Sequence, residues 1–358
     1  MSDTRVSITL KALAENAKSR SSRGIVCLVL DEPNVVGLHT YSRLKAVNDN
    51  YSDANKAMIT RCFSGHGVKL LRVVCYNSAA NTPQTIETAL TLLNNVKFNY
   101  LACPTANSDD KKMLIANFIK DQRKNNNILV KAVLNNYVGD YEGIINWINK
   151  KVAMSAGTVY TGLEYTIDVA CDAATCSLES SLTNKVLEGV ESVDDVGEDL
   201  DALKDSGKFF AYYDNDLEAV VYYTAVNSKT TVGENEKASM KKIRVMDILD
   251  MMRDDQKVAF KTTYQGKVDN SYSNKKLLIS AYNTYLRGLI KQGAISAGNA
   301  LLDTDSIAQY VEKNKSIDTS GLKDEEINAL DTDEEVFATE TVGVLDAMEK
   351  LNLAINFQ

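Results

Sequence analysis

Apolar positions follow two rhythms along the chain. In the first third they come as short continuous runs, at residues 25–30, 69–75, 100–103 and 128–134. Such runs mark strands buried on both faces. Segments of helical period lie between them. Pro83 opens one, with Ile86, Leu90 and Leu93 on a face and Thr82 as the expected N-cap. Ser108 opens another, carrying Met113, Ile115, Phe118 and Ile119. A further, partly helical stretch falls within 41–62. Strands alternating with helices predict an α/β domain with a largely parallel sheet.

Beyond Gly157 the rhythm changes. The chain runs through Gly162-Leu163-Glu164-Tyr165 and the small-residue stretch 169–178 to the polar run Ser181-Leu182-Thr183-Asn184 and an acidic patch at 188–205. Two strand-like runs, 208–213 and 219–226, flank Asp214-Asn215-Asp216 and read as a hairpin. Residues 237–295 then read as two amphipathic helices. In the first, Ile243, Met246, Leu249 and Met252 recur every third residue, widened by Val245 and Ile248. Lys242, Asp247, Asp250 and Arg253 take the other side. The second has its start signal at Ser273-Asn274 and its stop signal at Gly293, with Leu278, Ala281, Tyr285 and Leu289 in helical spacing. The connection Tyr264-Gln265-Gly266-Lys267-Val268-Asp269-Asn270 carries turn chemistry. A polar and acidic span follows.

Each end of the sequence has the alternation of a half-buried strand. Val6, Ile8 and Leu10 alternate with Ser7 and Thr9; Leu351, Leu353, Ile355 and Phe357 alternate with Asn352, Ala354 and Asn356. A polar stretch separates each from the body.

Length and composition bound the reading. At 358 residues two or three domains are expected. The 44% hydrophobic and 25% charged contents are globular values. A net charge of −8 argues against a general nucleic-acid binder. The first twenty residues lack a signal-peptide apolar core. No stretch approaches the roughly 20 apolar residues that span a bilayer, so no membrane insertion is expected. The six cysteines are irregularly spaced and imply no disulfide framework, consistent with a reducing cytoplasm.

Candidate chemistry is sparse. The two histidines are His39 and His66. Asp31, His66 and Ser180 occur in the order of a subtilisin-like Asp-His-Ser triad, but Ser180 lacks the glycine-bearing turn that presents such a nucleophile. His66, between Gly65 and Gly67, reads as a loop residue. Cys171 and Cys176 are too few and too far apart for a zinc site and read as inward-packing residues of the small-residue helix. No phosphate-cradling glycine motif is present. No catalytic, cofactor or metal residue is therefore expected.

The order of weaker features is more informative. Basic residues, then Ile243-Arg244-Val245, a helix with Asp247, Tyr264-x-Gly266-Lys267-x-x-Asn270, a helix with Tyr285-Leu286, and Gly293-x-Ile295 together resemble the C-terminal domain of contractile-tail sheath proteins. These are the sheaths of contractile phages and of tailocins, the phage-tail-like bacteriocins. Upstream, Arg23-Gly24-Ile25-Val26 and Ser181-Leu182-Thr183-Asn184 extend the resemblance over nearly the whole chain, although the family's Pro-Gly-Val-Tyr opening is absent. The resemblance implies a subtilisin-like-fold α/β core over 23–205, an α+β C-terminal sheath domain over 206–340, and extended arms at 1–22 and 341–358. It implies a non-enzymatic subunit without cofactor, made in the bacterial cytoplasm and released by lysis in a particle. Many copies would polymerise helically, in six-fold rings, around a tail tube. The sheath would then contract to drive the tube through a cell envelope, with baseplate and terminator proteins as further partners. It also implies inter-subunit strands at Val6, Ser7, Ile8, Thr9 and Leu10 and at Leu351, Asn352, Leu353, Ala354, Ile355, Asn356 and Phe357. Two basic groups, Lys241, Lys242 and Arg244 and then Lys275, Lys276, Arg287 and Lys291, are either solvated helix faces or contacts to an acidic tube. The alternative from another class is a hydrolase on a subtilisin-like or flavodoxin-like core.

Overall fold

The apolar runs of the first third become the centre of a seven-stranded sheet. The structure, a computed structural model, describes residues 23–234 and 236–355. Strands β1 (Ile25–Asp31), β2 (Gly37–Tyr41), β3 (Leu70–Tyr76), β4 (Tyr100–Ala102), β5 (Lys131–Asn135), β6 (Ile144–Trp147) and β10 (Lys208–Phe209) lie in the order β10-β6-β5-β4-β1-β3-β2. All neighbours are parallel except the edge strand β2, which runs antiparallel to β3. Alternate residues of β1 serve two cores: Val26, Leu28 and Leu30 face one, Cys27 and Val29 the other. Each core is closed by helices, and this is why the strand reads as an unbroken apolar run.

Helices α1 (Asp53–Phe63) and α4 (Gly162–Thr175) cover the first face through Ile59, Cys62, Ile167, Val169 and Ala170. Helices α2 (Ile86–Leu92) and α3 (Asp109–Lys124) cover the second through Ile86, Leu90, Ile115 and Ile119. The N-cap of α2 is Thr85, not Thr82, because Pro83 precedes the helix and Thr85 forms a capping box with Thr88. Gly162 starts α4 where a Cβ would sit 1.8 Å from the Asn149 carbonyl oxygen, so only glycine fits. A three-stranded sheet of β7 (Lys151–Met154), β8 (Val159–Thr161) and β9 (Val190–Val193), and the hairpin of β11 (Ala211–Asp214) and β12 (Ala219–Tyr222), complete this part. The short helix α5 (Leu200–Asp205) lies between β9 and β10.

The described chain divides into two compact units, one of residues 23–247 with 346–355 and one of 248–345. The hairpin at 211–222, read from sequence as opening the C-terminal domain, packs Ala211, Val220 and Tyr222 into the first core of the larger unit. Helix α6 (Ile243–Thr263) starts in the larger unit and continues in the smaller.

The smaller unit pairs the rest of α6 with α7 (Tyr272–Lys291). Ala259 and Ala281 pack together, and the Tyr285 hydroxyl donates to Asp255 at 2.9 Å. Helix α7 begins at Tyr272 with Ser271 as its cap, two residues earlier than Ser273-Asn274 suggests; the Ser271 hydroxyl oxygen takes the Asn274 amide. Gly293, at φ +69°, ends it in the left-handed region. The span that reads as merely polar holds β13 (Ile295–Leu302), α8 (Thr304–Lys315), α9 (Asp324–Asn328) and β14 (Ala338–Val344). Strands β13 and β14 form an antiparallel pair, and among the described residues no third strand joins them.

Candidate functional site: the helical pair, the strand edge and the arm roots

The first turn of α6 is where the amphipathic reading fails. Asp247 and Asp250, expected on the solvent side, are 7% and 5% exposed, and Arg244 is buried as well. Asp247 is an ionic hub. It accepts the Tyr100 hydroxyl at 2.8 Å, pairs with Lys131 at 3.1 Å and takes a short hydrogen bond from Arg23. A buried carboxylate needs such partners, because its desolvation otherwise outweighs what burial gains. Arg244 donates to the Leu178 carbonyl at 2.8 Å.

Lys242 reaches Glu349 in the C-terminal segment. The same carboxylate accepts the Thr183 hydroxyl at 2.7 Å, and Thr183 in turn receives the Ala225 amide. This gives the polar run Ser181-Leu182-Thr183-Asn184 a role that its sequence did not reveal.

Of the candidate basic residues, Lys242 and Arg244 thus spend their charges inside the chain, and so does Lys275. Lys275 is 3% exposed, its ammonium donates to the Leu330 carbonyl and the Thr332 hydroxyl, and burial lowers its pKa. Lys276, Arg287 and Lys291 are exposed, and Lys241 is half-buried. The connecting motif is also structural. Gly266 takes φ +69°, and the Asn270 amide donates to Asp333 and Glu335 carbonyls at 2.8 and 2.9 Å, pinning the acidic loop across the helical pair.

Strand β13 lies close against α7. A Cβ on Gly298 would come within 3.2 Å of Leu286, and the Asn283 side chain bonds both the Ala300 amide and carbonyl, each at 2.9 Å. Asn283 therefore occupies the edge of β13 that faces away from β14. The outer edge of β14 carries no such cover among the described residues.

Residues 351–355 extend without secondary structure, with Leu351, Leu353 and Ile355 at 84%, 70% and 84% exposure. Val6, Ser7, Ile8, Thr9 and Leu10 lie outside the described residues, as do Asn356 and Phe357.

The hydrolase constellation does not assemble. Asp31 holds the Ser78 amide at 3.0 Å, Ser180 bonds the Ser177 hydroxyl at 2.9 Å, and His66 lies between Asp168 and Asp172 of α4 at 3.2 and 2.8 Å. His66 is more than a loop residue. Burial alone would lower its pKa, but the two aspartates outweigh burial and raise it to about 9, so the ring is a cation at neutral pH. Arg61 and Lys185 add charge to the same aspartates, and the Tyr222 hydroxyl caps Asp172 at 2.8 Å. Six cysteines are free thiols, and Cys27, Cys62, Cys75, Cys103 and Cys171 are buried. Among the described residues no cluster of three or more His, Cys, Asp or Glu could hold a metal, and no helix is long and apolar enough to cross a membrane.

Two family models match, the phage tail sheath protein central domain over residues 79–228 and the phage tail sheath C-terminal domain over 235–358. The tail sheath protein of Clostridium phage phiCD119 is 30% identical over 98% of both chains. The chain belongs to the phage tail sheath protein family. This sheath protein is a structural subunit of a contractile tail and not an enzyme. A second relative, the phage-like element PBSX protein XkdK of Bacillus subtilis, is 31% identical over 44% of this chain and 34% of its own length. The sheath fold is shared with solved structures. The sheath tail protein Lin1278 of Listeria innocua superimposes with TM-score 0.69 at 16% identity, over 82% of this chain and 93% of that one. The helical sheath of the anti-feeding prophage in its contracted state does so with TM-score 0.68 at 13% identity, over 94% and 93%. The mixed α/β architecture with its parallel-rich sheet is thus a sheath-type fold, and the protein is a component of a phage tail or contractile injection particle.

Proposed function

We propose that copies of this sheath protein polymerise helically around a tail tube and hold together by exchanged strands while the polymer contracts. The observation that carries the proposal is the C-terminal segment. Leu351, Leu353 and Ile355 form one apolar side of a strand pattern, yet all three face solvent in the single chain. An exposed apolar strand is a hazard in a monomer and useful in a polymer, where adding it to a sheet edge forms main-chain hydrogen bonds across the contact. The edge of β14 left without a neighbouring strand among the described residues is the acceptor that best fits, since a two-stranded sheet is marginal by itself and gains from further strands. Residues 6–10 are the proposed N-terminal counterpart. A head-to-tail contact of this kind builds helices rather than closed dimers.

Finer features of the reading follow the same support. The seven-stranded, mostly parallel sheet with helices on both faces fits a subtilisin-like core. The N-terminal arm stays at 1–22, whereas the C-terminal arm expected at 341–358 is shortened to 346–358, because residues 341–344 pair with β13 as the end of β14. Lys276, Arg287 and Lys291, with Lys241, are the tube-facing candidates that remain exposed enough to serve. Six-fold rings, and baseplate and terminator proteins as end partners, are proposed by analogy with the six-fold symmetrised anti-feeding prophage baseplate. The test is deletion of residues 352–358. Sedimentation should show loss of polymers with an unchanged circular dichroism spectrum. Polymers of normal size from the deleted chain would refute the strand-exchange reading.

A further inference from the structure

We infer that Glu349 is a releasable latch that sets where the free C-terminal arm begins. The inference rests on the reading of residues 351–357 as an arm. The segment 346–355 has no helix or strand. Within it, Met348 and Leu351 are fully or largely exposed, whereas the Glu349 side chain between them is only 12% exposed. Apart from the small Ala347, Glu349 is thus the one residue of 346–355 that is not exposed.

The socket is built from two distant places. Thr183 presents its hydroxyl to one carboxylate oxygen at 2.7 Å. That hydroxyl is held in place by the Ala225 amide at 2.9 Å and the Ser181 hydroxyl at 3.1 Å. The other carboxylate oxygen pairs with Lys242, which precedes α6, and Asp346 lies 4.0 Å from the same ammonium. Lys242 and Glu349 keep 21% and 12% side-chain exposure, so the pair is neither sealed in the core nor fully screened by water. Charge-assisted bonds at such a site are strong enough to hold a segment and weak enough to open under load.

Opening the latch would add residues 346–349 to the free part of the arm, a gain in reach of about 13 Å at roughly 3.3 Å per residue. A sheath that rearranges must let its subunits change spacing without losing their strand contacts, and the released residues supply that slack. Closed, the same latch keeps the arm short and directs it away from the body at a fixed point.

The experiment places a nitroxide label at Met348→Cys in the full-length chain, with Cys176→Ser to remove the half-buried native thiol, and reads label mobility in unpolymerised protein. The label should be immobilised in this parent. Glu349→Gln and Lys242→Glu should each shift the ratio of immobile to mobile label by about tenfold toward mobile, the effect of losing one charged hydrogen bond. The exchanged pair, Lys242→Glu with Glu349→Lys, should restore immobility. A mobile parent, unchanged single variants, or a double variant as mobile as the singles would each overturn the latch. Deleting residues 352–358 in the labelled chain separates this inference from the arm reading. The latch predicts an immobile label there, whereas polymers from the deleted chain would sink the arm reading alone.

Discussion

At the scale of single residues, charge is concentrated at a few buried hubs, and each makes a prediction. His66 is held as a cation by Asp168 and Asp172, with a pKa raised to about 9. A folded-state value above the unfolded value of about 6.5 means that its contribution is complete below pH 6.5 and is lost as pH rises through 9. Urea unfolding should therefore show stability falling by on the order of 2 kcal/mol between pH 6.5 and 9.5, and His66→Ala should flatten that slope. An equal slope in the variant would assign the loss to other groups. Asp247 makes the opposite kind of test. Its removal takes the shared carboxylate from Arg23 and Lys131, so Asp247→Ala should cost about 3–5 kcal/mol in the same assay, and a loss below 1 kcal/mol would deny the hub. Neither hub was legible in sequence. His66 and its aspartates are separated by about a hundred positions, and Asp247 looked like the polar side of a helix because its partners come from β4, β5 and the chain entering β1.

Elements were read more easily than residues, for a physical reason. A strand buried on both faces writes itself as an apolar run, and β1, β3, β4 and β5 fall on the four runs seen in the sequence. The helical pair was legible because α6 and α7 keep a 3.6-residue period over 21 and 20 residues. Strand β13 was missed because Ser296, Ala297, Gly298 and Asn299 show no alternation; its place is set by α7, through Leu286 against Gly298 and Asn283 on Ala300. That dependence is testable. Gly298→Val should push β13 off α7 and impair polymerisation while the larger unit keeps its near-ultraviolet signal. Unimpaired assembly would mean the β13–β14 sheet does not receive the arm. The exposed basic face of α7 carries its own expectation. Exposed ion pairs are worth about 0–1 kcal/mol each, so the joint reversal Lys276→Glu, Arg287→Glu and Lys291→Glu is needed. It should abolish co-sedimentation with tubes at low salt and leave tube-free polymerisation intact. Undiminished tube binding would return these residues to the solvated surface.

For the whole molecule, the sequence pointed to the family through the order of many weak features, and a relative matching over 98% of the chain establishes it. The destination of the C-terminal segment matters most at this scale, since Leu351, Leu353 and Ile355 stay 84%, 70% and 84% exposed among the described residues. The central claim is that their partner is another copy. A cryo-electron microscopy reconstruction of polymers formed by the purified protein tests it most directly. The account predicts that residues 351–357 of one copy will be hydrogen-bonded as a strand along the outer edge of β14 in its neighbour. Density placing those residues back on their own subunit, or polymers held together with the segment in solvent, would contradict it.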